Sequence, residues 1–182
     1  MYLIKKYFNN SICLESDSID PYNLLSNHKV SIVGSFPLQK FTHANWVPND
    51  IDYIAHDKKS YDFVFKFFDN LSETKKITKG GTVHFYMNDN SLVQLLPAGI
   101  PGHYKDIRFR IFYHDISICQ IGHTGSQYVM SKLCYDHIQK NIFCLDENGI
   151  KINDDVTKQR IEKYIQRGYI YCPEKNILKY DK

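Results

Sequence analysis

Three aspartates and a glycine–serine pair carry the chemistry this sequence offers. Asn49-Asp50-Ile51-Asp52-Tyr53 alternates polar and apolar residues, as a half-buried strand does. In a strand, Asp50 and Asp52 project from one face, and Ile51 and Tyr53 from the other. Two carboxylates this close repel each other unless something neutralises them. A divalent cation is the usual neutraliser, and Mg²⁺ prefers one or two carboxylates completed by phosphate oxygens and water. A third carboxylate would complete a two-metal site. His114-Asp115-Ile116-Ser117-Ile118-Cys119 supplies one. Read as a strand, it sets Asp115, Ser117 and Cys119 on one face and Ile116 and Ile118 on the other, with Asp106 as a rival for the third position. Two metals ~3.5–4 Å apart among these carboxylates would activate an attacking hydroxyl and stabilise a leaving pyrophosphate.

Upstream, Val33-Gly34-Ser35 ends an apolar run. Glycine lets backbone approach a phosphate closely. If Phe36–Phe41 is helical, its first N–H groups face a triphosphate, and Ser35 donates to it. Near the C-terminus, Arg160, Lys163 and Arg167 recur at i, i+3 and i+7, so they share one helix face. They include two of the four arginines in a chain with 19 lysines. Where lysine is the default cation, arginine suggests a planar, bidentate donor. This face reads either as a phosphate-binding surface or as a solvated cationic face with Ile161 and Ile165 packed inward.

The elements that must position these residues follow from pattern. Asp20-Pro21 signals a helix start, with a short helix through Leu24 and Leu25. Lys29–Val33 reads as a strand ending at Gly34-Ser35, then a helix over Phe36–Phe41 and a strand over Ile51–Ala55. Tyr61, Val64, Phe65, Phe68 and Leu71 recur at helical spacing, which predicts an amphipathic helix over 59–71. Lys79-Gly80-Gly81 breaks the pattern. Thr82–Met87 and Leu92–Leu96 are strands around an Asn88-Asp89-Asn90 turn, followed by a loop from Pro97 to Gly102. Ile107–Ile121 reads as a β-rich stretch, one bent strand or two. Gly122–Ser126 reads as a loop and Gln127–Lys140 as helical. Ile142–Leu145 and Ile150–Ile152 flank a hairpin-like turn at Asp146–Gly149. Val156–Gln166 is a helix with Gly168 as its stop. Strands alternating with helices predict an α/β (α+β) fold, a mixed sheet flanked by helices.

Composition bounds the rest. At 182 residues the chain predicts a single domain over 1–182, with its core at about 28–171. The 23 basic and 20 acidic side chains leave a formal charge of +3, which excludes a polybasic arm or acidic tail as the main device. With 43% apolar residues the chain is globular rather than disordered. High Ile, Lys, Tyr and Asn with only three Ala reflect an AT-rich coding sequence. No stretch approaches the ~20 apolar residues of a membrane span, and the opening residues lack a secretory apolar run. Cys13, Cys119, Cys134, Cys144 and Cys172 are odd in number. The expectation is a soluble, reduced, intracellular (cytoplasmic) protein away from any membrane. Cys134-x-x-His137 with Cys144 and Cys172 raises zinc, but the spacing matches no recognised knuckle, and buried cysteine is usually a small core hydrophobe. Trp46 either stacks on a base or packs in the core.

Taken together, Ile32-Val33-Gly34-Ser35, Asp50-Ile51-Asp52-Tyr53 and a later Asp115 resemble the nucleotidyltransferase superfamily, with its DNA polymerase β-like fold. Trp46-Val47-Pro48-Asn49-Asp50-Ile51-Asp52 is similar to the W-x-P-x-D-I-D form of small nucleotidyltransferase-like proteins of large DNA viruses, phages and fungi. Those relatives often carry F-D-hydrophobic-S-x-C around the third aspartate, and here His114 stands in place of the aromatic residue. Their R-x-x-K-Y-x-x-R-G-[FY] helix is matched by Arg160, Lys163, Tyr164, Arg167, Gly168 and Tyr169. The resemblance implies a viral type of enzyme, acting for instance in a host cytoplasm, that transfers an NMP from an NTP such as ATP to a hydroxyl and releases pyrophosphate. It implies Mg²⁺ (or Mn²⁺) on Asp50, Asp52 and Asp115, and a nucleotide held by Gly34, Ser35, Arg160, Lys163 and Arg167. The acceptor would be RNA, a protein or a small molecule. The alternative is a catalytically inactive module of the same fold that binds nucleotide, RNA or a protein.

Overall fold

A sheet grows around the alternating aspartate segment. The computed structural model describes residues 10–16, 28–78, 80–97, 107–145 and 155–173. The expected Leu24/Leu25 helix, Lys79, the loop beyond Pro97, Asp106, the turn at Asp146–Gly149 and Ile150–Ile152 lie outside the described residues.

The strands are β1 (Ser11–Glu15), β2 (Val30–Val33), β3 (Asp50–Ala55), β4 (Ser72–Ile77), β5 (Val83–Met87), β6 (Leu92–Leu96), β7 (Ile121–His123) and β8 (Gln127–Ser131). They form one mixed sheet in the order β1-β8-β7-β2-β3-β6-β5-β4. Only β3 and β6 run parallel; the other neighbours are antiparallel. The helices are α1 (Ser35–Thr42), α2 (Lys58–Leu71), α3 (Ile107–Ile111), α4 (Lys132–Gln139) and α5 (Asp155–Gln166), with a 3₁₀ turn at Ser117–Cys119. β9 (Ile142–Phe143) and β10 (Ile170–Tyr171) make a separate parallel pair.

Alternation along the strands decides what each face of the sheet meets. Tyr53, Val83, Phe85, Val93 and Leu95 pack against Val64 and Phe68 of α2, the helix that its 3.6-residue period foretold. Asp57 starts that helix by accepting a hydrogen bond from Ser60 N at 2.8 Å. That bond, with the Lys29 charge nearby, holds the Asp57 carboxyl below its usual range. On the opposite face, Val33 and Ile54 are covered by Ile107, Ile111 and Phe112. Gly122 permits this cover, because a Cβ there would stand 2.5 Å from Ile107 Cδ1 and 3.0 Å from Ile32 O. α1, α4 and α5 enclose a third cluster with Leu38, Ile118, Met130 and Tyr164 at its centre.

Four readings need correction. Ile107–Ile121 is not a strand: it contains α3, a turn, an isolated bridge at Ile116 and the 3₁₀ turn before β7 begins. Nearly every apolar side chain in it is buried, so its pattern cannot distinguish a helix from a strand. Gly122 and His123 belong to β7 rather than to a loop. Gln127–Lys140 is strand β8 and then helix α4; Ser131 makes the junction by accepting from Cys134 N at 2.9 Å. Finally, Ile165 is 50% exposed; α5 turns Ile161 inward as expected, together with Tyr164 and Thr157.

Candidate active site

β3 holds Asp50 and Asp52 as the alternation requires. Both lie on the face that α3 covers further along, and the charge of Arg110 from that helix reaches Asp52. Asp52 pairs across to Val33 on one side and to Gln94 on the other. Gln94 Nε2 donates to Asp50 Oδ2 at 2.8 Å, which orients that carboxylate. Burial raises the Asp52 pKa from 3.8 to about 7, and the Asp50 charge adds to the rise. Arg160, Lys163 and Arg110 oppose it. Asp52 is thus a largely buried carboxyl beside a second carboxylate, with three cations near enough to offset part of its charge.

Gly34 faces the pair. Its φ of +81° and ψ of −135° belong to a region that glycine alone adopts readily. A Cβ at Gly34 would stand 3.3 Å from both Asp52 Oδ2 and His114 Cε1. The turn after β2 is therefore bare backbone between a carboxylate and an imidazole, held in place by Gly34 N donating to Ile121 O at 2.9 Å. Ser35 is buried as the first residue of α1, whose leading N–H groups have no side-chain cap. They leave positive partial charge beside the carboxylates.

Cations arrive from two helices. Arg160 of α5 donates through Nη1 to Asp115 Oδ2, and its charge reaches Asp52 as well. Lys163 is half-buried, which lowers its pKa, and Arg167 lowers it further, while Asp50 raises it. Arg167 has a different position from the other two. Its guanidinium lies 4.0 Å from the Trp46 ring centroid and 5.1 Å from that of Tyr164. It also donates to Val47 O and Asn49 Oδ1, each at 3.4 Å. It thus clasps the segment leading into Asp50 onto α5, so the planarity expected of an arginine here serves stacking.

Of the expected residues, Asp50, Asp52, Gly34 and Ser35 stand together, with the charges of Arg160 and Lys163 directed at them. Asp115 lies in the turn before the bridge at Ile116, not on a strand, and its partner is Arg160. Among the described residues no three acidic, histidine or cysteine side chains are grouped to hold a metal. Cys134 and Cys144 are buried in the core, where Cys134 Sγ donates to Ile118 O and His137 Nδ1 shares a hydrogen bond with Ser117 Oγ at 2.8 Å. None of the five cysteines is in a disulfide.

Three neighbours escaped the sequence reading: Gln94, Arg110 and His114. Burial drives the His114 imidazole down to about 4, and Arg160 and Arg110 push the same way, so it is neutral at pH 7. The signal for Arg110 was present, since it is one of only four arginines, but the β reading of its segment hid its helix.

No family profile and no curated protein sequence matches the chain significantly. Solved structures do match, and they define a nucleotidyltransferase-like fold. A CCA-adding enzyme complexed with ATP superposes with a TM-score of 0.64 at 14% identity, over 90% of this chain and 43% of its own. The CCA-adding enzyme of Thermotoga maritima complexed with tRNA gives 0.59 at 15% identity, over 86% and 40%. A CCA-adding enzyme with CTP gives 0.59 at 16%, over 86% and 41%. This chain thus spans less than half the length of these neighbours. No helix among the described residues is long and apolar enough to cross a membrane.

Proposed function

We propose that the chain is a divalent-metal-dependent nucleotidyltransferase that moves an NMP from an NTP to a hydroxyl acceptor and releases pyrophosphate. The observation that carries this reading is the carboxylate pair Asp50/Asp52 set against the bare backbone of Gly34, with cationic side chains directed at it. Two oxygen-donor carboxylates side by side on one strand face fit Mg²⁺ or Mn²⁺, which would complete their coordination with phosphate oxygens and water. When bound, the cation neutralises phosphate charge and lowers the pKa of the attacking hydroxyl. The first N–H groups of α1 receive the β- and γ-phosphates, which the missing side chain at Gly34 lets come close, with the Ser35 hydroxyl beside them. Gln94 holds Asp50 in orientation. Arg160 and Lys163 offset charge on the triphosphate. Arg167 acts at one remove, by fixing the segment 46–49. Asp115 is the third carboxylate, and a triphosphate that competes for Arg160 frees it to face the acceptor hydroxyl.

The Arg160–Asp115 pair favours a second reading, a binding module of the same fold without catalysis. One experiment separates the two. Pyrophosphate release is measured with each NTP and Mg²⁺ against RNA, protein and small-alcohol acceptors. The enzyme reading predicts release with one acceptor class, reduced about a thousandfold in Asp50→Ala and in Asp115→Ala. NTP binding without release for any acceptor supports the module. Full activity in Asp50→Ala contradicts both the metal site and the mechanism.

A further inference from the structure

Strand register continues the carboxylate site across the sheet. Asp52 pairs with Gln94, Gln94 with His84, and His84 with Lys76. One step along, Asp50 pairs with Leu92, Leu92 with Tyr86, and Tyr86 with Thr74. Residues opposite one another in a ladder share a face, so two parallel rows run from the aspartates to the edge strand β4. Thr74, Lys76 and Tyr86 are exposed, and Tyr86 retains 42% of its surface. His84 lies edge-on to Tyr86, with ring centroids 6.5 Å apart. No acidic side chain stands in either row beyond Asp50 and Asp52. The two lysines of the β4 edge differ in setting. Lys75 points to the α2 face, where it pairs with Asp69 at 2.5 Å and lies 4.8 Å from the Phe65 ring centroid. Lys76 points to the open face and makes no ion pair among the described residues.

We infer that this open face of β6, β5 and β4 is the acceptor platform, and that the acceptor is a single-stranded nucleic acid whose terminal hydroxyl lies at Asp50 and Asp52. The inference rests on the nucleotidyltransferase reading for its orientation. The chemistry along the rows selects the occupant. Lys76 supplies a cation for a backbone phosphate, at ~14 Å from Asp52 by strand spacing. Tyr86 and His84 supply flat, partly exposed rings on which bases stack regardless of sequence. Gln94, already tethered to Asp50, marks the inner end of the track. A protein acceptor would need an apolar centre, and the rows offer only Leu92 and the Tyr86 ring between polar side chains.

The test is fluorescence anisotropy of the whole protein with end-labelled single-stranded RNA and DNA oligonucleotides of about twelve nucleotides, without NTP or metal. The expected result is binding that weakens about tenfold in Tyr86→Ala. In Lys76→Ala, the slope of log affinity against log salt should fall by about 0.7. Thermal melts equal to the parent show that both variants are folded. Preference for the RNA or the DNA arm identifies the sugar, and either supports the platform. Unchanged affinity and slope in both variants, or no binding by the parent, overturns it. NTP calorimetry on the same variants keeps the two claims apart: failure of the parent to bind NTP removes the enzyme reading, while loss of oligonucleotide binding with intact NTP binding removes the platform alone.

Discussion

Asp52→Asn melts above the parent protein at pH 8 without metal, and its transferase activity falls about a thousandfold. The two effects share one cause. The Asp52 carboxyl titrates at about 7 in the folded protein against 3.8 as the reference value, chiefly because it is buried and because Asp50 stands beside it. A carboxyl with a raised folded pKa contributes stability that is fully present below pH ~4 and is lost as pH climbs through 7. Above pH 7 the folded state holds a charge that it accommodates poorly. Three pKa units correspond to about 4 kcal/mol. Partial contact with solvent reduces the net cost to about 2 kcal/mol. Asparagine keeps the shape and cannot ionise, so the cost disappears and the melting temperature rises by about 4–8 °C. The gap between variant and parent should open between pH 4 and pH 7 and stay constant above. Mg²⁺ with NTP should stabilise the parent at pH 8 and leave the variant unmoved. A variant less stable than the parent at pH 8 would show that Asp52 is paid for by the fold rather than by a ligand.

Gly34→Ala carries the second large effect, and it acts on both folding and the site. At φ +81° and ψ −135° an alanine is strained by about 1–3 kcal/mol. Its Cβ would also stand 3.3 Å from Asp52 Oδ2 and from His114 Cε1, so one of them must retreat. Movement of Asp52 disturbs the carboxylate pair, and movement of His114 disturbs the turn that presents Asp115. The expected variant is folded but destabilised by about 2 kcal/mol, and its kcat/KM falls at least a hundredfold, since small misplacements of reacting groups are that costly. Chemical denaturation and steady-state kinetics check the two parts separately. Unaltered kinetics in a destabilised protein would mean that Gly34 serves the turn alone.

The parts of this fold that the sequence reveals are those where one periodicity acts undisturbed. At its start β3 is half-buried, with polar Asp50 and Asp52 on one face and Ile51 and Tyr53 on the other, so the alternation is clean there. α2 has a single apolar stripe, and Tyr61, Val64 and Phe68 spell it out. Elsewhere the local signal is erased. In 107–121 the apolar residues Ile107, Ile111, Ile116, Ile118 and Ile121 are all buried, and burial on every side leaves no period to read. β4 fails for the opposite reason: Ser72–Ile77 is a polar edge strand, paired on one side only, with lysines that read as loop. β1 was missed because its partner, β8, lies more than a hundred residues away. Long-range pairing also governs the site. Arg160 and Asp115 are 45 residues apart, and their motifs describe each as a ligand for something else; only the folded chain sets one against the other. Charge and spacing leave Arg167 open between a phosphate-binding and a solvated face, and only the resemblance implies a nucleotide there; in the fold its guanidinium lies over the rings of Trp46 and Tyr164.

The central claim is that Asp50 and Asp52 form a divalent-cation site completed by a triphosphate. Its most direct test is Mn²⁺ titration followed by electron paramagnetic resonance, with and without a non-hydrolysable NTP, on the parent and on Asp50→Ala. The parent should bind Mn²⁺ weakly alone and much more tightly with the NTP analogue, and Asp50→Ala should lose this enhancement while remaining folded. Equal Mn²⁺ binding by parent and variant in the presence of the analogue would contradict it.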